Sequence, residues 1–348
     1  MERTVNVAIN GFGRIGRALL RVLMGLENVR VSAINDPAEP AVLAHLVNHD
    51  SVHGRPSFET LLSSDHLLLD NRGVKLLNVR RPESFPWAEL GVEVVVDCSV
   101  NATPSGLRGH LTSGAAKVVV ASPCFGADLT LVMGVNHDAY EPRRHHLVSA
   151  SSPAANCLAP ILKVMNDRFS VRKGLVTTIR PYSEDQNLLD QPNADLRRSR
   201  AAALSMIPLA SVDAGAVEEV LPCLKGKLDG VSLCVPAPAV SLADITLLVG
   251  SKADASEVNE AIAEASRGPM EGVLAYGEEH LVGADHLGSV FSATVDGLQT
   301  RVVGSDMVKL SAWYDNEWGY ASRLRDILVL MGGNYESGAL PGTGEGVE

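Results

Sequence analysis

Apolar and polar positions at the start of the chain follow the pattern of a strand, a turn, a helix and a second strand. A short apolar run rich in β-branched residues, Val5–Asn10, leads into a glycine-rich turn over residues 11–16. Apolar residues then recur at helical spacing over 17–26, and a second strand-like run covers 29–34. This order predicts the first unit of a parallel sheet with crossover helices.

The rest of the chain also alternates between predicted strands and helices, and the pattern of apolar residues changes near residue 150. Before that point the apolar runs predict buried parallel strands, and after it they suit a mixed sheet with helices on one face. The predicted strands are 92–96, 117–121, 176–179, 231–235 and 245–249, and the predicted later helices are 255–265 and 318–331. The fold class is therefore α/β, with a second domain of α+β type.

Composition narrows the class of protein. The 348 residues are 46% hydrophobic and 20% charged, enough for two domains with a sizeable core. The net charge of −11 argues against nucleic acid or an anionic membrane as a partner. No apolar run approaches the roughly 20 residues of a membrane helix, and the first residues lack the pattern of a signal peptide. The five cysteines show no paired spacing, so we expect no metal site and a cytoplasmic location.

The turn after the first strand carries the pattern G-x-G-x-x-G at Gly11, Gly13 and Gly16. It follows a strand, opens a helix and precedes Asp36, an acidic residue about twenty positions further on, which is the context of a dinucleotide-binding fingerprint. Glycine lets the backbone approach a pyrophosphate, and the helix N-terminus supplies free N–H groups. Asp36 would accept hydrogen bonds from a ribose and repel a 2′-phosphate, which favours NAD over NADP. A tight glycine turn without a ligand is the alternative.

Several longer segments resemble the glyceraldehyde-3-phosphate dehydrogenase family over about residues 5–332. They are Asn-Gly-Phe-Gly-Arg-Ile-Gly-Arg at 10–17, Asn-Asp-Pro at 35–37, Asn-His-Asp-Ser-Val-His-Gly at 48–54 and Trp-Tyr-Asp-Asn-Glu-Trp-Gly-Tyr at 313–320. The resemblance implies a Rossmann-type NAD-binding domain over 1–151 plus 317–348, a substrate domain over 152–316, and a homotetramer. It implies the cofactor-binding residues Asn10, Gly11, Gly13, Arg14, Ile15, Gly16, Asp36, Arg80, Asn316 and Tyr320. Within this set it places Arg80 near the adenine and Asn316 on the nicotinamide amide.

The chain departs from that family where its chemistry is expected. Residues 149–160 read Ser-Ala-Ser-Ser-Pro-Ala-Ala-Asn-Cys-Leu-Ala-Pro, where the family reads Ser-Cys-Thr-Thr-Asn-Cys-Leu-Ala-Pro. The family's nucleophilic cysteine lies four residues before the second cysteine, and Pro153 occupies that position. Arg180 replaces the histidine base, and it stays protonated at neutral pH, so it cannot accept a proton. Cys234 occupies the place of a phosphate-binding arginine.

At the other positions of the substrate pocket, some residues differ from the family pattern and others agree with it. Ser211, Val212 and Ala154 replace residues of an anion site, and Ser152, Ser183, Asp185 and Arg200 stay compatible with the family pattern. Residues 197–200 resemble its subunit-contact loop. The concentration of losses at one pocket, with the framework retained, favours a repurposed or inactive substrate site.

Three functional hypotheses follow from this pattern. The first is a divergent homologue that keeps NAD binding and lacks phosphorylating aldehyde oxidation, either as an oxidoreductase with a different substrate or with another use of bound NAD. The second is a non-enzymatic NAD-binding regulator or subunit. In the third, Cys234 serves as a substitute nucleophile, with its pKa lowered by Arg180. A small apolar strand residue is the alternative for Cys234, and a structural role is the interpretation for Cys157. The sequence does not name the substrate.

Overall fold

A computed structural model of the chain describes residues 4–99 and 103–332. These residues form two compact units. The first contains 4–99, 103–131, 137–151 and 321–332, and the second contains 132–136 and 152–320. The segments 132–136 and 317–320, which the sequence analysis assigned to the cofactor domain, thus lie in the second unit.

The first unit alternates strands and helices, as its hydrophobic pattern predicts. Its strands are β1 Val5–Asn10, β2 Val29–Asn35, β3 Thr60–Ser63, β4 His66–Leu69, β5 Arg72–Leu77, β6 Val94–Asp97, β7 Lys117–Val120, β8 Leu129–Thr130 and β9 Leu147–Ser149, and its helices are α1 Arg14–Leu23, α2 Pro40–Asn48 and α3 Pro104–Thr112. Helix α1 begins and ends three residues earlier than the predicted 17–26, because it starts directly after Gly13, within the predicted turn, and stops before Gly25.

Within the described residues these nine strands form one sheet in the order β3-β4-β5-β2-β1-β6-β7-β9-β8. The central strands β2, β1, β6, β7 and β9 are parallel, and all four residues of β6 are buried. Burial on both faces explains why β6 and β7 read as continuous valine runs rather than alternating patterns. The carboxyl ends of β1, β2 and β6 therefore meet at one edge, where ligands of open α/β sheets bind.

The second unit contains the remaining strands, three helices and the start of a fourth. The strands are β10 Val171–Pro181, β11 Ile207–Ala210, β12 Leu228–Val235, β13 Ser241–Val249, β14 Leu274–Gly277, β15 Ala293–Asp296, β16 Arg301–Val303 and β17 Met307–Tyr314, and the helices are α4 Pro153–Phe169, α5 Asp213–Val220, α6 Ala255–Ser266 and α7 Trp318–Met331. Helix α7 begins in the second unit and ends in the first.

In the part of the chain that the structure describes, these strands form an eight-stranded mixed sheet. Seven follow the order β11-β12-β10-β13-β17-β15-β14, and β16 pairs with β17. Strand β13 alternates between buried and half-buried residues along its whole length, as expected for a sheet with helices on one face. Helices α4, α5 and α6 pack on that inner face and form the core with residues such as Val176, Ala243 and Ile245.

Candidate functional site

The glycine turn of the first unit has a backbone that only glycine fits at two of its positions. Gly11 has φ +89°, and a Cβ there would lie 2.7 Å from the backbone carbon of Cys98. A Cβ on Gly16 would lie 2.3 Å from the Gly11 carbonyl oxygen. These two glycines therefore allow the turn to close between β1 and α1.

Gly13 has a different role in the same turn. A Cβ at Gly13 would meet no heavy atom within 4 Å, so the fold itself does not require glycine there. Gly13 is the N-cap of α1, and no side chain caps that helix end. Open space beside a helix N-terminus with uncapped N–H groups fits the pyrophosphate of a dinucleotide.

The carboxylate of Asp36 is fixed against this turn at the end of β2. Its Oδ2 accepts a hydrogen bond from the Phe12 backbone N–H at 2.8 Å, and its Oδ1 accepts one from Ala38 N–H at 2.9 Å. The carboxylate thus lies beside the glycine turn, the position that the fingerprint assigns to the ribose-binding acid.

A buried polar network lies at the carboxyl ends of β1 and β6. Asp97 is 2% exposed, and its Oδ2 accepts hydrogen bonds from Asn10 Nδ2 at 2.7 Å and His110 Nε2 at 3.1 Å. Ser99 donates to Oδ1 from both its hydroxyl and its backbone N–H. Trp87 Nε1 donates to His110 Nδ1 at 3.0 Å, so the imidazole hydrogen lies on Nε2, facing Asp97.

This network sets the charge of the Asp97 carboxylate. Burial by itself raises the pKa of Asp97, but hydrogen bonds from His110, Ser99 and Asn10 outweigh it, and the pKa lies below its ordinary value. The carboxylate is therefore ionised at neutral pH and fixes the side chain of Asn10. Sequence reasoning identified Asn10 but not its partner Asp97, or His110, which in turn holds Asp97; the three residues come from separate segments.

The structure places the other predicted cofactor residues in three regions. Arg14 and Ile15 form the exposed and half-buried start of α1, and Arg80 is exposed in the loop after β5. Asn316 and Tyr320 lie in the second unit, Asn316 in the turn before α7 and Tyr320 buried in its first turn. Asp315 shapes that turn, because its Oδ1 accepts hydrogen bonds from the N–H groups of Glu317 and Trp318.

In the second unit, Pro153 is the first residue of the 17-residue helix α4. Ser152 is the N-cap, and its hydroxyl accepts a hydrogen bond from Ala155 N–H at 3.0 Å. Proline suits the first helical position, because its missing N–H would have no intrahelical acceptor there. The local sequence therefore makes a well-formed helix start without a nucleophilic side chain at residue 153.

Arg180 and Cys234 are neighbours on adjacent parallel strands. They are register partners near the carboxyl ends of β10 and β12. Two residues earlier on the same strands, Thr178 and Ser232 are also register partners. Side chains two apart in a strand point to the same face, so Arg180 and Cys234 share the inner, helix-covered face with Thr178 and Ser232.

The environment of Cys234 disfavours its thiolate. The side chain is buried in a small apolar cluster with Ile207 and Leu209. Burial raises the pKa of the Cys234 thiol, and the positive charges of Arg180 and Arg198 do not reverse that rise. Arg180 lowers the pKa of Cys234, as predicted, but burial raises it by more, so the group is a neutral thiol at neutral pH.

Two sequence models of the glyceraldehyde 3-phosphate dehydrogenase family match this chain. The NAD binding domain matches residues 5–104, and the C-terminal domain matches residues 152–316. The chain belongs to the glyceraldehyde 3-phosphate dehydrogenase family. The matched N-terminal domain is the family's NAD binding domain, so NAD is the cofactor, which the glycine turn fits.

Bacterial members of the family resemble the chain along almost its whole length. It is 43% identical to a glyceraldehyde-3-phosphate dehydrogenase of Geobacillus stearothermophilus over 328 residues, which cover 94% of this chain and 98% of that protein. It is 44% identical to glyceraldehyde-3-phosphate dehydrogenase 2 of Bacillus subtilis, over 93% of this chain and 96% of that protein. The corresponding enzyme 2 of a Nostoc species is 42% identical, over 94% and 98%.

This member of the dehydrogenase family also holds a buried carboxylate that sequence reasoning missed. Asp213, the first residue of α5, is 3% exposed, and its Oδ2 accepts hydrogen bonds from the hydroxyls of Thr178 and Ser211, each at 2.9 Å. Ser232 adds a longer contact of 3.4 Å and lies 2.7 Å from the Thr178 hydroxyl. The four residues come from three separate segments, so only their assembly on the inner face reveals the cluster.

The remaining predicted pocket residues of this family member separate into two surface groups. Ser183 donates to Asp185, which also accepts hydrogen bonds from Arg198 and, at 2.9 Å, from Gln186. Arg200 instead pairs with Asp190 at 3.2 Å, with both side chains largely exposed. The structure thus joins Ser183 to Asp185 and binds Arg200 to a different carboxylate.

Metal-binding clusters and membrane-spanning helices were both sought among the described residues of this family member. These residues contain no group of three or more His, Cys, Asp or Glu side chains that could hold a metal ion. None of the described helices combines the length and apolar character that crossing a membrane requires.

Proposed function

We propose that this protein is an NAD-binding member of the family with a repurposed or inactive substrate site, which does not carry out phosphorylating oxidation of an aldehyde. The observation that carries the proposal is Pro153 at the first position of α4. The sequence resemblance assigns the nucleophilic thiol to this residue. A pyrrolidine ring has no group that can add to a carbonyl carbon.

Arg180 supports the same proposal at the position of the family's base. A guanidinium stays protonated throughout the physiological pH range, so it cannot accept the thiol proton or the proton released during aldehyde oxidation. Three of the free cysteines are poor substitutes for that nucleophile, because their thiols stay protonated at neutral pH. Burial raises the pKa of the thiols of Cys98, Cys157 and Cys234.

The proposal predicts that the purified protein forms no NADH from glyceraldehyde 3-phosphate, NAD and inorganic phosphate. Removal of a covalent nucleophile lowers turnover by several orders of magnitude, so we expect at least about a thousandfold less NADH per second than from the Geobacillus relative. Absorbance at the NADH band under identical conditions measures this. Turnover within tenfold of the relative would refute the proposal.

The NADH assay and calorimetry together distinguish a repurposed substrate site from an inactive one. NADH formed from another alcohol or aldehyde would identify an oxidoreductase with a changed substrate. NAD binding by calorimetry, without NADH from any of these compounds, would identify a non-enzymatic regulator or subunit. In the first case NAD supplies the hydride acceptor, while the chain binds and orients the substrate.

We also propose that the protein is a homotetramer located in the cytoplasm. The outer face of the second sheet exposes Leu175, Val231, Val303 and Met307, and the loop over 183–206 exposes further leucines. Exposed apolar groups of this extent mark interaction surfaces. Light scattering should give four chains per particle, and a single-chain mass would contradict the assembly.

The proposed cytoplasmic location rests on the cysteines. All five are free, which supports a reducing compartment, and cell fractionation tests the location.

A further inference from the structure

The half-buried guanidinium of Arg180 has no partner in the described part of the chain. None of the hydrogen bonds or ion pairs among those residues involves its side chain, and its Nε is shielded from solvent. A charged group that is taken out of water without a partner is unfavourable, and the effect is smaller when the group is only half-buried. A fold that retains such a group has a charge available for a ligand.

We propose that Arg180 forms the centre of an oxyanion-binding site, which takes the carboxylate or phosphate group of a small-molecule ligand. This inference rests on the proposed function, since it names the ligand class of the changed substrate site. It places the anion at the carboxyl end of β10 in the second unit.

Among the described residues, the neighbouring carboxylates form no hydrogen bond or ion pair with Arg180. Asp213 instead accepts hydrogen bonds at Oδ2 from the hydroxyls of Thr178 and Ser211, and Thr178 lies two residues before Arg180 on the same face of β10. Asp185 accepts hydrogen bonds from Arg198 and Ser183. The N–H donors of the Arg180 guanidinium are therefore open to a ligand.

Helix α4 adds positive potential at the same end of the sheet. Ser170, in a left-handed conformation with φ 58°, reverses the chain between α4 and β10, and the two elements pack together. A helix of 17 residues is about 25 Å long, so its N-terminus at Pro153 returns toward the carboxyl half of β10. A helix N-terminus carries about half a positive charge, which favours an anion there.

The chemistry of arginine selects the ligand class. Its planar fork donates two parallel hydrogen bonds to a carboxylate or a phosphate, which lysine cannot reproduce. The resemblance assigns a phosphate-binding arginine to residue 234, and the register partner of that residue carries the arginine here. The cation has therefore moved by one strand, about 4.8 Å, to the former position of the base.

Calorimetric titration of the NAD-saturated protein tests this site. Inorganic phosphate and malonate are the probes, and they distinguish a phosphate from a carboxylate ligand. We expect saturable binding of at least one of them, weakened at least about tenfold in Arg180→Gln and less in Arg180→Lys, which keeps the charge but loses the fork. Arg172→Gln changes an exposed arginine on the same strand and should alter the affinity by less than about twofold.

Two outcomes would contradict the proposed oxyanion-binding site at Arg180. One is the absence of saturable binding of either anion, and the other is equal binding by wild type and Arg180→Gln. An unchanged NAD affinity and thermal midpoint show that a variant is folded. If Arg180→Gln is not folded, Arg180→Lys is used for the comparison instead. Turnover of glyceraldehyde 3-phosphate by wild type would refute the proposed function, and it is measured independently of anion binding.

Discussion

Replacing Pro153 by cysteine should create the most reactive thiol in the protein. The new side chain would occupy the first position of α4, where the helix dipole favours a thiolate. A thiol with a pKa of about 8.5 is roughly 3% ionised at pH 7, and lowering the pKa to about 7 makes half of it thiolate. We therefore expect Pro153→Cys to react with an aromatic disulfide reagent at least about tenfold faster than any native cysteine.

Cys223, the exposed native cysteine, is the internal control for this experiment. Mass spectrometry after brief alkylation should show label at Cys223 in wild type and at residue 153 first in the variant. The variant should still form no NADH from glyceraldehyde 3-phosphate, because Arg180 cannot act as the base. Equal labelling of both thiols would show that the start of α4 does not activate a nucleophile. Preferential labelling of Cys234 in wild type would restore the hypothesis of a substitute nucleophile.

Alanine at Gly13 and at Gly16 of the cofactor turn should change different properties of the protein. Gly13→Ala adds a Cβ to open space, so we expect an unchanged thermal midpoint and NAD affinity lowered at least about tenfold, because that space receives the pyrophosphate. Gly16→Ala places a Cβ 2.3 Å from the Gly11 carbonyl oxygen. The turn would have to move, and we expect the free energy of unfolding to fall by about 2–4 kcal/mol.

Gly25→Ala is the matched control for both variants. Its Cβ would make an ordinary contact of 3.8 Å with the Val22 carbonyl oxygen just after the same helix. Urea unfolding and NAD calorimetry should therefore give values close to wild type. If Gly13→Ala binds NAD as tightly as wild type, the pyrophosphate does not approach the turn at this residue.

The cofactor half of the protein was largely predictable because its determinants are local. The glycine turn, the strand before it and the helix after it occupy consecutive residues, and their conformational needs can be read directly from residues 5–23. Asp36 follows at the end of the next strand, one crossover later. The network around Asn10 was not predictable in the same way, because sheet pairing brings Asp97 to Asn10 and α3 brings His110 to Asp97.

The substrate half was predictable in its losses but not in its electrostatics. Comparison of motifs was sufficient to identify Pro153 and Arg180 as departures. The expectation that Arg180 lowers the pKa of Cys234 treated the pair as isolated charges. In the structure, burial in the cluster with Ile207 and Leu209 is the larger effect, and the thiol stays neutral.

The sequence by itself determined the fold class, the dinucleotide turn and the proline at residue 153, because each depends on residue types within local segments of the chain. Only the tertiary structure decided which charges have partners. Thr178, Ser211 and Ser232 hold Asp213, and Arg180 is left unpaired among the described residues, because strand register and helix packing join segments that are distant in the chain. Charge pairing depends on distances of a few ångströms, and the linear order of residues does not set those distances.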